Sequence, residues 1–262
     1  MTDGLNVLVA IKRVPGSAGT VMLTDDAMGV DTRHVGHTVS PHEECAVEAA
    51  VQLTQAHGGA AVVLTVGPPD AIEQLRDALA IGVRQAVHVV ADSGSYGPAD
   101  VAAAIADVAR AHAADGRPYD LLLFGTDAAD TGDFQVGIRT SYLLGVPVVS
   151  GVRSFEVDPA TRLVTAIGDG PDGEETFELP LPAVLTVKEG GITPRYPSIP
   201  GRLKAKKAPV EQVEPSGTPG GTGRLRLTLP PEPPSQVQIL GTGADAAPAL
   251  VDLLIKSGVV GR

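Results

Sequence analysis

Apolar runs alternate along the first half of the chain with segments whose apolar residues recur every three or four positions. Residues 6–11 (NVLVAI), 61–66 (AVVLTV), 86–90 and 120–124 (DLLLF) are short, Val/Leu-rich and almost uninterrupted. That is the pattern of strands buried on both faces. Between them, residues 40–57, 70–81, 100–113 and 133–144 are predicted to be helices. The second carries Ile72, Leu75 and Leu79 on one face, and the third Val101, Ile105 and Val108. Ser40-Pro41-His42-Glu43 is a helix start: Ser40 can cap, Pro41 suits the first helical position, and Glu43 completes a capping box. Gly58-Gly59 and Gly82 are stops. Residues 14–39 read as irregular. Strands alternating with helices predict an α/β fold, a mostly parallel sheet flanked by helices.

The period changes after residue 145. Segments 152–157, 163–167 and 175–179 alternate polar and apolar residues around Asp/Gly turns, predicting an antiparallel meander, and 183–187 (AVLTV) reads as a further core strand. Residues 188–207 (KEGGITPRYPSIPGRLKAKK) read as a proline-stiffened loop holding Tyr196 and Ile199, followed by a basic cluster at Lys204, Lys206 and Lys207. Such a loop is either a wrapped surface connection or a partner-binding segment. Residues 208–236 are rich in Pro and Gly with little helix or strand signal. A terminal helix is predicted over 245–256, its stripe made by Leu250, Val251, Leu254 and Ile255. The expected division is an α/β domain over 1–187 that includes the meander at 152–179, a loop at 188–207, and an extended arm ending in a helix at 208–262.

Composition removes several classes of function. Four Tyr, four Phe and no Trp leave few platforms for stacking bases, and a net charge of −11 opposes nucleic acid and anionic lipid. The single Cys45 excludes an internal disulfide and a four-thiolate metal site. No apolar run reaches membrane-spanning length. The strand signal at residue 6 leaves no room for a signal peptide, so a cytoplasmic protein is expected. His34, His37 and His42 match no common zinc spacing and read as surface or capping residues.

The segment Gly125, Thr126, Asp127, Ala128, Ala129, Asp130, Thr131, Gly132, Asp133 follows the fourth strand and opens a helix. Ligands of open parallel sheets bind beyond the carboxyl ends of strands, and a Gly- and hydroxyl-rich turn at a helix start offers N–H groups to a phosphate. It is neither a Walker loop nor GxGxxG. Two readings stand: a nucleotide phosphate site, or a strand–helix loop capped by Asp133. Three aspartates sit badly beside a phosphate unless they point away or bind ribose hydroxyls. Ala10 and Val66-Gly67-Pro68 converge on the same edge, as the walls of an adenine slot or as plain structural turns.

Taken in order, VLVAIKRV (7–14), the helix start at 40–43, VLTVGPPDAIEQLRDALAIG (63–82), the turn at 125–137 and PRYPSIPGRLKAKK (194–207) resemble the beta subunit of electron transfer flavoprotein. The resemblance spans nearly the whole chain. It implies a Rossmann-like fold of the adenine nucleotide alpha hydrolase type. It also implies an electron-carrier subunit, not an enzyme, that pairs with an alpha subunit holding most of a redox-active FAD. This subunit would bind AMP through Ala10, Ser40, Pro41, His42, Glu43, Val66 and residues 125–136, the last three being Phe134, Gln135 and Val136. The loop would dock a flavin-dependent dehydrogenase through Arg195, Tyr196, Ile199, Pro200, Lys204, Lys206 and Lys207, with Ile199 as apolar anchor. Electrons would pass on to an electron transfer flavoprotein–quinone oxidoreductase or another acceptor, and the arm would dock on the alpha subunit. Ile192-Thr193 stands where many members have Asn-Glu, and 166–168 (AIG) where many have a Glu. Gln135-Val136-Gly137 is similar to relatives in which a second FAD replaces AMP. A reading of another class is a stand-alone ATP-binding enzyme on the same fold, or a scaffold without flavin chemistry.

Overall fold

A computed structural model of the chain describes residues 4–16, 18–92, 94–231 and 237–260. In chain order its elements are β1 (Leu5–Ala10), β2 (Val14–Pro15), β3 (His37–Thr38), α1 (Pro41–His57), β4 (Gly59–Gly67), α2 (Ile72–Ile81) and β5 (Gln85–Val90). There follow α3 (Pro98–Ala114), β6 (Leu121–Gly125), α4 (Val136–Leu144), β7 (Val148–Asp158), β8 (Leu163–Gly170), β9 (Gly173–Pro180) and β10 (Ala183–Val187). The last are α5 (Ile199–Ala205), β11 (Glu211–Val213) and α6 (Ala247–Lys256). Nine strands form one sheet in the order β11-β5-β4-β1-β6-β10-β7-β8-β9. All pairings from β11 to β7 are parallel, and β7-β8-β9 is the antiparallel meander.

The apolar runs are buried because both faces of the sheet are covered. Along β1, Val7 and Val9 belong to the cluster shared with Cys45, Val51 and Leu75 of α1 and α2. Leu8 belongs to the cluster on the other face with Ile105 and Val108 of α3. Each such Leu or Val contributes roughly 1.5–3 kcal/mol by leaving water. The strands thus read as unbroken apolar runs while the helices keep a one-sided stripe.

Helix α1 begins as its sequence dictates. The Ser40 hydroxyl accepts from the Glu43 N–H at 3.3 Å, and the Glu43 carboxylate accepts from the Ser40 N–H at 3.2 Å. The helix ends at Gly58, and β4 starts on Gly59, whose φ of 91° only glycine holds without strain.

Several expectations need adjustment. The irregular stretch 14–39 contains the short β2–β3 ladder and a bridge between Leu23 and Val30. Helix α4 starts at Val136, because Asp133 closes the preceding turn by accepting from the Gln135 N–H at 2.9 Å. The loop after β10 contains α5, seven residues capped by the Ser198 hydroxyl at 3.1 Å from the Gly201 nitrogen. In the Pro/Gly-rich arm, β11 pairs with β5 and ends the sheet on that side. Part of that arm, 232–236, lies outside the described residues.

The chain divides into two units, Met1–Leu227 and Thr228–Arg262. The first holds the sheet and its helices. The second holds a 3-10 turn at Gly243–Ala246 and α6, whose Leu250 and Val251 are about half exposed. No described helix is long and apolar enough to cross a membrane, and no group of His, Cys, Asp or Glu among the described residues is arranged to hold a metal.

Candidate functional site

The order of the sheet puts β1 between β4, which follows it in the chain, and β6, which arrives after crossing to the other side. Ligand crevices of open α/β sheets form where the strand order reverses in this way, beyond the carboxyl ends. Three sequence-predicted segments meet there. Ala10 ends β1, Gly125 ends β6, and the start of α1 lies against both. The Lys12 N–H donates to Glu43 Oε1 at 2.8 Å, so the chain leaving β1 is tied to the first turn of α1. Gly125 has no room for a side chain: a Cβ there would lie 2.7 Å from Glu43 Cγ and 3.2 Å from His42 Cβ. Val66 sits near the end of β4, on the other side of β1.

Glu43 is buried, and burial pushes its carboxyl up to about 8, against the opposing pull of the Ser40 and Lys12 N–H groups. The turn from Thr126 to Gln135 is largely closed upon itself. The Ala128 N–H donates to Asp133 O, and the Thr131 and Gly132 N–H groups both donate to Ala128 O. The Thr126 hydroxyl lies 3.0 Å from that of buried Thr186, which is itself 2.9 Å from Ser150 Oγ. Asp130 Oδ1 receives the Lys12 ammonium at 2.6 Å. Asp127 Oδ1 is buried with no partner among the described residues. A carboxylate oxygen in that condition suits a hydroxyl donor such as those of a ribose. The Phe134 ring, 53% exposed, stands outside. Sequence reasoning passed over Lys12, whose only signal was a cation two residues past a strand end.

The segment after β10, the neighbour of β6, packs Ile192 against the core and buries Ala205, yet keeps Tyr196, Ile199 and Leu203 out. The Glu189 N–H donates to His42 Nδ1 at 3.0 Å, and Cys45 Sγ donates to Ile192 O at 3.1 Å. Arg195 then makes a two-pronged pair with Glu48: Nε to Oε2 and an Nη to Oε1, both at 2.7 Å. The Glu48 side chain is 3% exposed and that of Arg195 37%. Burial raises the Glu48 carboxyl, but the Arg195 and Gln52 hydrogen bonds win and leave it below its ordinary value. The guanidinium of Arg76 donates to the carbonyls of Ala205 and Lys206, anchoring the end of α5. From this frame Tyr196, Ile199 and Leu203 project, 95%, 78% and 62% exposed. Pro200 and the side chains of Lys204, Lys206 and Lys207 are also at the surface, with no ion-pair partner among the described residues. Arg195 is therefore turned inward, while Leu203, which sequence reasoning missed, joins the exposed apolar group.

With this geometry in view, likeness to known proteins becomes specific. Residues 27–217 match the family described as electron transfer flavoprotein domain. The chain is 32% identical over 223 residues to the electron transfer flavoprotein subunit beta of Bacillus subtilis, covering 82% of this chain and 85% of that one. It is 32% identical over 263 residues to the human subunit beta, covering 98% of each, and 35% identical over 212 residues to the mitochondrial subunit beta of Oryza sativa subsp. indica, covering 80% and 82%. A match of this length, on a sheet with this strand order, leaves one assignment: the chain belongs to the electron transfer flavoprotein family, among its beta subunits.

Proposed function

We propose that this chain is the non-catalytic half of a heterodimeric electron carrier, in which it binds AMP and presents the docking loop for a donor dehydrogenase. Its companion is an electron transfer flavoprotein alpha subunit. The FAD, held mainly by that subunit, supplies the redox chemistry. Electrons arrive from a flavin-dependent dehydrogenase and leave to an electron transfer flavoprotein–quinone oxidoreductase or another acceptor in the cytoplasm. The observation that carries this reading is the meeting of Ala10, the Ser40–Glu43 run and the Gly125 turn at the switch point of a chain similar throughout to subunits of that name.

The residues of this chain have separate tasks. Ala10 and Val66 wall the base, Asp127 takes ribose hydroxyls, and the opening N–H groups of α4 face the phosphate. A nucleotide bound only by the folded state stabilises it by mass action. The Arg195–Glu48 pair and Pro197 and Pro200 order the loop beforehand, so that Ile199 and Tyr196 enter a partner's pocket at little entropic cost. Nucleotide release tests the reading. The chain is co-produced with its alpha partner, purified and denatured, and the released nucleotides are separated by chromatography. One AMP beside one FAD is the expected result. A second FAD in place of AMP assigns the crevice to a flavin, and a complex without adenylate overturns the assignment of the crevice.

A further inference from the structure

The crevice has the wrong charge for the ligand proposed for it. Asp127, Asp130 and Asp133 lie in one turn, and Glu43 behind it, kept neutral by burial, adds no cation to offset them. The turn has also committed the N–H groups of Ala128, Thr131, Gly132 and Gln135 to itself, so fewer remain for an anion. A phosphate dianion placed there needs a counter-charge from elsewhere in the chain.

Among the described residues two cations reach the turn: the Arg139 guanidinium donates to the Gln135 side-chain oxygen at 2.9 and 2.7 Å, and Lys12 alone meets one of the carboxylates. Lys12 Nζ lies 2.6 Å from Asp130 Oδ1, the only ion pair that the turn makes. Its backbone is fixed, since the preceding Ile11 N–H donates to Leu64 O at 2.9 Å and its own N–H donates to buried Glu43. Its ammonium is held differently. The pair with Asp130 is partly exposed, with side chains 39% and 21% accessible, and such a pair binds weakly. Four methylenes let the head move while the backbone stays, and an ammonium acts as a point charge without a required geometry. We propose that Lys12 is the phosphate-binding residue of this crevice and that Asp130 holds its ammonium in place until a nucleotide phosphate takes it over. The doubly charged phosphate is the stronger partner, and Asp130, on the open side of the turn, gives up its cation to water. This rests on the adenylate reading and adds to it a residue outside the sequence-predicted set.

The test uses the full chain in complex with its alpha partner, stripped of adenylate and titrated by calorimetry with AMP and, separately, with adenosine. Lys12→Met is expected to weaken AMP by about tenfold or more and to leave adenosine within about twofold. Asp130→Asn is expected to tighten AMP a few-fold, because the ammonium no longer has a rival anion. The salt dependence of AMP affinity flattens in Lys12→Met. Should Lys12→Met fail to fold, Lys12→Arg, expected to retain AMP, and Asp130→Asn carry the test. Unchanged AMP affinity in Lys12→Met, or AMP and adenosine weakened alike, overturns the role of Lys12 while leaving the adenylate reading intact. A wild-type complex that binds neither ligand overturns both.

Discussion

Glu43 and Glu48 lie five residues apart on α1, both are buried, and their carboxyl groups are shifted in opposite directions. Glu43 serves the crevice. Its partners are two backbone N–H groups, which carry no full charge, so burial dominates and raises it to about 8. Glu48 serves the loop. There a guanidinium supplies two short charge-assisted hydrogen bonds, and these outweigh burial. One helix thus anchors a neutralised, inward-facing pocket at its start and a charge-locked, outward-facing loop further along. Two things separate the regions: the kind of donor supplied to each carboxylate, and the heavier desolvation of Glu43 deeper in the protein.

The largest expected effect is on stability against pH. A carboxyl raised in the folded state contributes stability that is complete below its unfolded value of about 4.5 and is lost as pH rises toward about 8. At 1.36 kcal/mol per unit the loss is on the order of several kcal/mol. Glu43→Gln removes this dependence: near pH 5 it is less stable than wild type by about 1 kcal/mol, since an amide nitrogen cannot accept from the Ser40 or Lys12 N–H, and the difference shrinks and then reverses as pH rises toward about 8. Glu48 works with the opposite sign: its contribution is present above about 4.5 and declines as pH falls through its lowered folded value. Urea midpoints of wild type and Glu43→Gln from pH 5 to 9 decide the matter. Parallel curves would show that Glu43 ionises freely in place.

Next in size is Arg195→Ala, which leaves Glu48 buried without its cation. A fully buried pair broken on one side costs roughly 3–5 kcal/mol. The partial exposure of Arg195 lowers the expectation to about 2–3 kcal/mol. Hydrogen exchange should quicken over 188–207 and remain slow in β1 and β6. If protection of the loop persists, the pair does not order it. Ile199→Ala is expected to slow electron transfer from the donor dehydrogenase by about tenfold, roughly 1.4 kcal/mol, with the heterodimer assembling as before. Stopped-flow reduction of the complex FAD measures it, and an unchanged rate would remove Ile199 as anchor.

These contrasts mark what the sequence could reveal. Strands β1, β4, β6 and β10 announced themselves because burial on both faces demands an unbroken apolar run. The start of α1 was equally plain, since its cap uses residues within one turn. Strand β11 was hidden: Glu211, Gln212 and Val213 pair along an edge and need no apolar pattern. The Arg195–Glu48 pair joins residues 147 positions apart, and nothing local in either segment signals the other. Helix α5 was hidden in a different way. Ser198-Ile199-Pro200 is a cap followed by an early proline, as at Ser40-Pro41, but the surrounding prolines and glycines read as loop.

Those two caps give the smallest effect and the finest comparison. Ser40 caps a 17-residue helix at the crevice and is 1% exposed; Ser198 caps a seven-residue helix in the loop and lies at the surface. Losing an N-cap hydroxyl costs about 1 kcal/mol when the helix it starts is part of the cooperative core. Ser40→Ala should therefore lower global stability by about 1 kcal/mol and also disturb Glu43, its capping-box partner. Ser198→Ala should change global stability by less than about 0.5 kcal/mol, because a short surface helix unfolds locally without the sheet. Its effect belongs in faster hydrogen exchange at 199–205 and in weaker docking through Ile199, the first residue of α5. Equal global losses from the two substitutions would mean that the loop folds as one body with the core, and the division between a rigid crevice and a separately ordered loop would have to be given up.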